Sequence, residues 1–162
     1  MKVAVGSDHR GFDTKQQIKA IATELGHECI DVGTGDSNPV DYPDLAYLAA
    51  RAVSANEVDR AILVCATGIG MSMAANKVDG IRAALCHDEL SAQISRDHND
   101  ANVLCLSADQ MGAVLLRKMV EVWLNTEFSG GRHERRVRKI QAIEEGRDPR
   151  EIGNVQREAH SG

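Results

Sequence analysis

Five short apolar segments alternate with stretches of helical periodicity along this chain. That alternation restricts the fold more than any other feature. The segments are Lys2–Gly6, Cys29–Val32, Arg60–Cys65, Arg82–Cys86 and Asn102–Leu106. The third is the most telling, because its continuous Ala-Ile-Leu-Val run suits a strand buried on both faces of a parallel sheet. Between the segments, apolar residues recur at helical spacing. The spacing predicts helices over Phe12–Leu25, Pro43–Ser54, Gly70–Lys77, His87–Arg96 and Met111–Leu124. A last charged helix is predicted from Arg132 to just before Gly146. On the Met111–Leu124 helix, Met111, Val114, Leu115, Met119 and Val122 form the expected buried stripe. Strand–helix alternation of this kind specifies an α/β domain: a Rossmann-like, three-layer αβα sandwich with a five-stranded, mostly parallel sheet and helices on both faces. At 162 residues the chain suits one domain, expected over residues 1–146, with a polar, loosely ordered tail over 147–162.

Ligands in such folds bind outside the carboxyl ends of the strands. The segment Leu63-Val64-Cys65-Ala66-Thr67-Gly68-Ile69-Gly70-Met71-Ser72 places a thiol, a hydroxyl and two glycines at that edge. Gly68 and Gly70 allow close backbone approach to a ligand, and the helix that follows offers backbone N–H donors. Neither the P-loop nor the G-x-G-x-x-G signature is present, so the glycines alone are also consistent with a plain strand-to-helix turn. Cys65 reads equally well as a reactive thiol and as a buried strand-end residue. Cys29, Cys86 and Cys105 lie in or beside apolar runs and are expected to be buried structural thiols. No C-x-x-C pair or His-x-x-x-His spacing suggests a metal site.

Asp8, His9, Cys65, Thr67 and the polar loop around His98 are all expected at the carboxyl rim, where two histidines offer proton carriers. Arg132 and Arg136, four residues apart, share a helix face and form either a phosphate clamp or a solvated charged face. The net charge of −5 and 3% aromatic content argue against general nucleic-acid binding. The chain opens directly on a strand and has no apolar run of membrane-spanning length, which predicts a cytoplasmic protein without membrane contact.

Five segments, in order, carry a resemblance. They are Gly6-Ser7-Asp8-His9-Arg10-Gly11-Phe12, Val40-Asp41-Tyr42-Pro43, Cys65–Ser72 through Ala74-Ala75-Asn76-Lys77, Arg96-Asp97-His98-Asn99-Asp100 through Asn102, and Gly130-Gly131-Arg132-His133. Together they resemble the B-type ribose-5-phosphate isomerase family, which includes allose- and galactose-6-phosphate isomerases. The resemblance implies aldose–ketose isomerisation of a sugar phosphate without a metal or organic cofactor. It makes Cys65 the base that carries a proton between C2 and C1, with Thr67 moving a proton between the two oxygens. Backbone around Ala66, Thr67, Gly68, Ile69 and Gly70 would hold the enediolate. His98, with Asp8, would open the furanose ring. His9, Arg132 and Arg136 would bind the phosphate, and Tyr42 and Asn99 would line the site. It further implies a homodimer or tetramer with shared active sites, the basic helix serving the neighbour's loop. A six-carbon aldose 6-phosphate and a non-catalytic sugar-phosphate-binding module are the alternatives. Two positions depart from the family pattern. Ala66 stands where glycine is common. Ser107-Ala108-Asp109 replaces a Gly-Ser-Arg-like turn of some members, so weaker phosphate binding, a compensating group or a different sugar is expected.

Overall fold

The computed structural model describes residues 1–153. Its strands are β1 (Lys2–Ser7), β2 (Glu28–Asp31), β3 (Arg60–Cys65), β4 (Ala83–Leu85) and β5 (Val103–Ser107). Its helices are α1 (Phe12–Glu24), α2 (Tyr42–Ser54), α3 (Ile69–Ala75), α4 (Glu89–Asp97), α5 (Ala113–Asn125) and α6 (Arg132–Glu144). All four strand pairings are parallel, in the order β2-β1-β3-β5-β4. The expected α/β sandwich is therefore present, with a wholly parallel sheet.

The central strand β3 is buried along its whole length, and its alternating side chains feed two cores. Ile62 and Val64 face a core closed by α1, α4 and α5, where Ile18, Ala92, Met119 and Trp123 lie. Ala61, Leu63 and Cys65 face the other core, closed by α2 and α3 through Ala46, Ala49, Ala50 and Met71. The small alanines of α2 are fully buried and let that helix lie close to the sheet. Asp88 and Ser91 start α4 with a reciprocal capping box, which satisfies N–H groups the helix itself cannot. Cys86 and Cys105 are buried, and burial pushes both thiols up, as suits structural cysteines. Cys29 is only half-buried, because β2 is a sheet edge.

Helix α5 differs from its predicted roll. Its buried residues are Leu116, Met119, Val120, Trp123 and Leu124, while Val114 is 75% exposed. Apolar residues nearly surround this helix, so two overlapping stripes satisfy the periodicity. Trp123 decides between them: it is fully buried, and its indole Nε1 donates to Ser95 Oγ of α4 at 3.2 Å. Met111, Leu115 and Val122 pack at the margin of this core. The start of the expected tail, residues 147–153, folds back on α6. Arg147 N–H donates to Ala142 carbonyl, and Lys139 Nζ donates to the carbonyl of Pro149, which opens a short 3₁₀ turn over Pro149–Glu151. Residues 154–162 lie outside the described residues.

Candidate active site

β3 ends in Cys65, and the next three residues reverse the chain. Gly68 takes a left-handed conformation (φ 75°), which only glycine adopts without strain. A Cβ there would also lie 2.6 Å from Leu85 Cδ1 and 2.9 Å from the Leu106 carbonyl oxygen. The reversal turns the Gly68 N–H onto Cys65 Sγ at 3.1 Å. This contact fixes the sulfur against the turn that follows β3. The sulfur is nearly enclosed, Cys65 being 5% exposed. Thr67 Oγ1 accepts from Ile69 N–H at 3.3 Å, holding the half-buried hydroxyl beside the thiol turn. The ring of Tyr42, the first residue of α2, lies directly over Gly70, where a Cβ would meet ring carbons at 2.5 Å. Ala66 sits in the loop without backbone strain, since among the described non-glycine residues only Asn56 and Asp100 have positive φ. Its carbonyl accepts from Ser107 Oγ at 2.7 Å and from Asp109 N–H at 3.1 Å, so the end of β5 fixes the loop.

The turn after β1 closes the other side. Asp8 N–H donates to the Val64 carbonyl at 3.3 Å, joining the turn to β3. The Asp8 carboxylate is buried, and its Oδ1 accepts from Arg10 and Gly11 N–H groups at 3.0 and 3.1 Å. His9 Nδ1 accepts from Val40 N–H at 3.3 Å, which ties down the loop before α2. The connection after β1 runs toward β2 and the one after β3 runs the other way toward β4, so the rim between β1 and β3 is the topological switch point where such sheets bind ligands.

A second constellation forms around His98, the residue that ends α4. His98 and His133 lie face to face, ring centroids 3.9 Å apart and planes 8° from parallel. Asp97 Oδ2 lies 3.4 Å from His98 Nε2, and the other carboxylate oxygen of Asp97 accepts from Ser129 Oγ. Arg132 Nε donates to His133 Nε2 at 3.3 Å, so His133 is neutral at that nitrogen. Burial, then the charges of His98, Arg132 and Arg136, hold His133 below the usual histidine range. Asn99 follows on the same turn, where its carbonyl accepts from Arg82 Nε at 3.1 Å. His133 and Asp97 were not among the residues expected to act. The Gly-Gly-Arg-His segment is the sequence signal for His133, which directly follows Arg132.

The two constellations are not brought together within the chain. Helix α4 leaves the carboxyl edge after β4 and returns to the amino edge to begin β5. His98 and Asn99 therefore sit beside Arg82 and Asn102, at the entrances of β4 and β5. Cys65 pairs with Ser107, at the exit of β5. The six residue steps from Ala101 to Ser107 span about 20 Å of extended chain. The expectation that His98 shares a rim with Asp8 and Cys65 is thus corrected: a helix antiparallel to its strand delivers its last residue to the opposite edge. Arg132 and Arg136 go with His98, through the His98–His133 stack. One chain carries a thiol half-site of Asp8, His9, Tyr42 and Cys65–Gly70, and a separate basic half-site of His98, Asn99, Arg132 and Arg136. Among the described residues no group of three or more His, Cys, Asp or Glu side chains is placed to hold a metal ion.

Residues 3–140 match the model of the family described as Ribose/Galactose Isomerase. The chain is 48% identical over 147 residues to ribose-5-phosphate isomerase B of Escherichia coli, covering 91% of this chain and 99% of that protein. It is 42% identical over 143 residues to D-erythrulose-4-phosphate isomerase of Pectobacterium atrosepticum, covering 86% and 93%. Among solved structures, ribose-5-phosphate isomerase B of Clostridium thermocellum superposes with a TM-score of 0.88 at 48% identity, covering 90% of this chain and 99% of that one. With the match running through both half-sites and across almost the whole sheet, this chain belongs to the ribose/galactose isomerase family.

Proposed function

We propose that this protein is a cytoplasmic homodimer that interconverts ribose 5-phosphate and ribulose 5-phosphate, each active site combining the thiol half-site of one subunit with the basic half-site of the other. The observation that carries this is the separation of Cys65 from His98, since neither half alone holds a base, a ring-opening group and a phosphate clamp. An isologous pair puts the amino edge of each subunit against the carboxyl edge of its partner, completing two sites at once. Exposed apolar residues of the α2–α3 layer support the pairing. Tyr47, Leu48, Ile69 and Met73 are each half or more exposed on the layer that carries Tyr42 and the thiol loop.

The chemistry follows from the residues. His98 of the second subunit accepts the anomeric hydroxyl proton and returns one to the ring oxygen, opening the furanose. The Cys65 thiolate removes the proton from C2, and the electron pair moves onto the carbonyl oxygen as the enediolate forms. Backbone N–H groups of the loop after Thr67 hold the negative charge; a single aimed donor of this type is worth ~10²–10³ in rate. Thr67 passes a proton between the two oxygens, and Cys65 delivers its proton to C1. Arg132 and Arg136 of the second subunit, with His9, bind the phosphate. The D-erythrulose-4-phosphate isomerase relative supports a second reading, in which a four-carbon sugar phosphate is preferred.

The test is turnover of ribose 5-phosphate in heavy water, followed by NMR. Ketose formation with deuterium entering at the exchanging carbon is expected in the wild type. Cys65→Ala is expected to lose turnover while still binding the sugar phosphate. Full activity of Cys65→Ala excludes the base role, and faster turnover of D-erythrulose 4-phosphate than of the five-carbon pair favours the second reading.

A further inference from the structure

The loops after the five strands, with the first residue or two of the helices they lead into, are residues 8–12, 32–42, 66–70, 86–89 and 108–112, and they make up the carboxyl rim. They hold six carboxylates, a single arginine and no lysine. That arginine is Arg10. A rim of this charge repels a phosphorylated sugar unless a cation stands where the sugar enters. Arg132 and Arg136 do not supply it from the same chain, because they lie at the opposite edge.

Arg10 is fixed from both ends. Its main-chain N–H donates to the buried Asp8 carboxylate. Its Nη2 donates to Asp109 Oδ2 at 2.6 Å, across 99 residues of sequence. Asp109 is itself tied to the thiol loop by its N–H bond to the Ala66 carbonyl at 3.1 Å. The turns that carry Arg10 and Asp109 follow β1 and β5, the two neighbours of β3 in the sheet. The ion pair therefore bridges the end of β3, the strand that finishes in Cys65. Arg10 is 56% exposed and Asp109 45%. An exposed pair of this kind adds little to stability, so its placement calls for another explanation. The guanidinium spends one of its five donors on Asp109, and among the described residues the others take no partner.

We infer that Arg10 is a phosphomonoester-binding residue of the thiol half-site and that Asp109 is its positioning partner. The ligand class rests on the proposed isomerase activity; the anion-binding role rests on the rim's charge and the bridge. Asp109 sets the direction of the guanidinium, so that a phosphate group meets an oriented fork and not a freely rotating side chain.

Two measurements on the full-length protein test this: KM and kcat for ribose 5-phosphate, and the dissociation constant of inorganic phosphate by calorimetry. Arg10→Ala is expected to raise KM and weaken phosphate binding by about 10- to 100-fold, the worth of a charge-assisted hydrogen bond, with kcat within about threefold of wild type. Arg10→Lys, which keeps the charge without the fork, is expected to fall between. Asp109→Ala is expected to raise KM at constant kcat and unchanged thermal midpoint. Asp109→Asn, which retains an acceptor oxygen, restores KM. Unchanged KM and unchanged phosphate affinity in folded Arg10→Ala overturn the inference while leaving the isomerase reading intact. Conversely, Arg10-dependent phosphate binding in a wild type that does not turn over ribose 5-phosphate sinks the isomerase reading and sustains the inference.

Discussion

His133 lies flat against His98, 3.9 Å between ring centroids, and joins two segments that are separate in sequence. One ring ends α4 and the other opens α6. Two parallel imidazoles at this distance resist carrying charge together, and Arg132 donates into His133 Nε2. The stack therefore keeps His133 neutral, and on its other side Asp97 Oδ2 lies 3.4 Å from His98 Nε2.

Folding stability is expected to fall as pH drops from 7 toward 5. Burial, His98, Arg132 and Arg136 hold His133 below its unfolded value of 6.5, and burial, the N-terminal ammonium and Arg60 do the same for His27. Above pH 6.5 both residues are neutral in either state. Below it the unfolded chain takes up protons that the native state refuses, so acid favours unfolding. Urea midpoints measured at pH 7 and pH 5 will show the decline, and His27→Gln with His133→Gln should flatten it. An equally steep decline in the double variant assigns the effect to other groups.

Ala66 and Gly68, two residues apart, are expected to respond oppositely to substitution. Ala66→Gly should leave turnover within a few-fold, because Ala66 occupies no glycine-only conformation. Gly68→Ala forces a methyl group toward the Leu106 carbonyl at φ 75° and should cost about 1–3 kcal/mol in stability. It should also remove turnover, by moving the N–H that meets Cys65 Sγ. Urea unfolding and steady-state kinetics on both variants decide the point.

Mixing two inactive variants is expected to restore activity. Cys65→Ala lacks the thiol half-site and His98→Ala lacks the ring-opening group of the basic half-site. For the proposed dimer, half the pairs in an equal, equilibrated mixture are mixed, and each of these holds one intact site. Recovery of about one quarter of wild-type turnover is therefore expected. Failure of mixtures that demonstrably exchange subunits would place both residues in a site from one chain.

Lys15 is expected to be costly to replace. It is 1% exposed, with Nζ 2.8 Å from Asp31 Oδ1 and 2.5 Å from the Thr34 carbonyl. Burial alone raises the Asp31 carboxyl, but hydrogen bonds from Lys15, Lys19 and the Gly33 N–H outweigh it and hold it below the usual range. Lys15→Met removes the buried partner of both oxygens and should lower stability by about 2–4 kcal/mol by urea unfolding. The loop from Gly33 to Val40 loosens with it, and Val40 holds His9, so KM should rise as well.

The residues of the thiol half-site could be found locally because their chemistry is local. A buried strand running into Cys65, Gly68 and Gly70 defines its own turn, and β3 spans Arg60–Cys65 as its sequence predicts. Helix α5 was legible in extent but not in roll, since its apolar residues permit two stripes and only the Trp123–Ser95 hydrogen bond selects one. Asp109 stands out in the sequence as a departure from the family pattern, but its pairing with Arg10 does not, because nothing at either position announces a partner 99 residues away.

The sequence by itself determined the alternation of strands and helices, the class of fold, and the candidate side chains for a site. Each of these depends on periodicity or on neighbours a few residues apart. Only the tertiary structure decided which edge of the sheet each side chain reaches. Sequence order places His98 a few residues before β5, but the antiparallel return of α4 carries it to the amino edge, the length of a strand from Cys65. Direction along a helix, summed over its length and set against the strand beside it, is a property of the packed layers, and it sends the candidate site residues to opposite edges of one sheet.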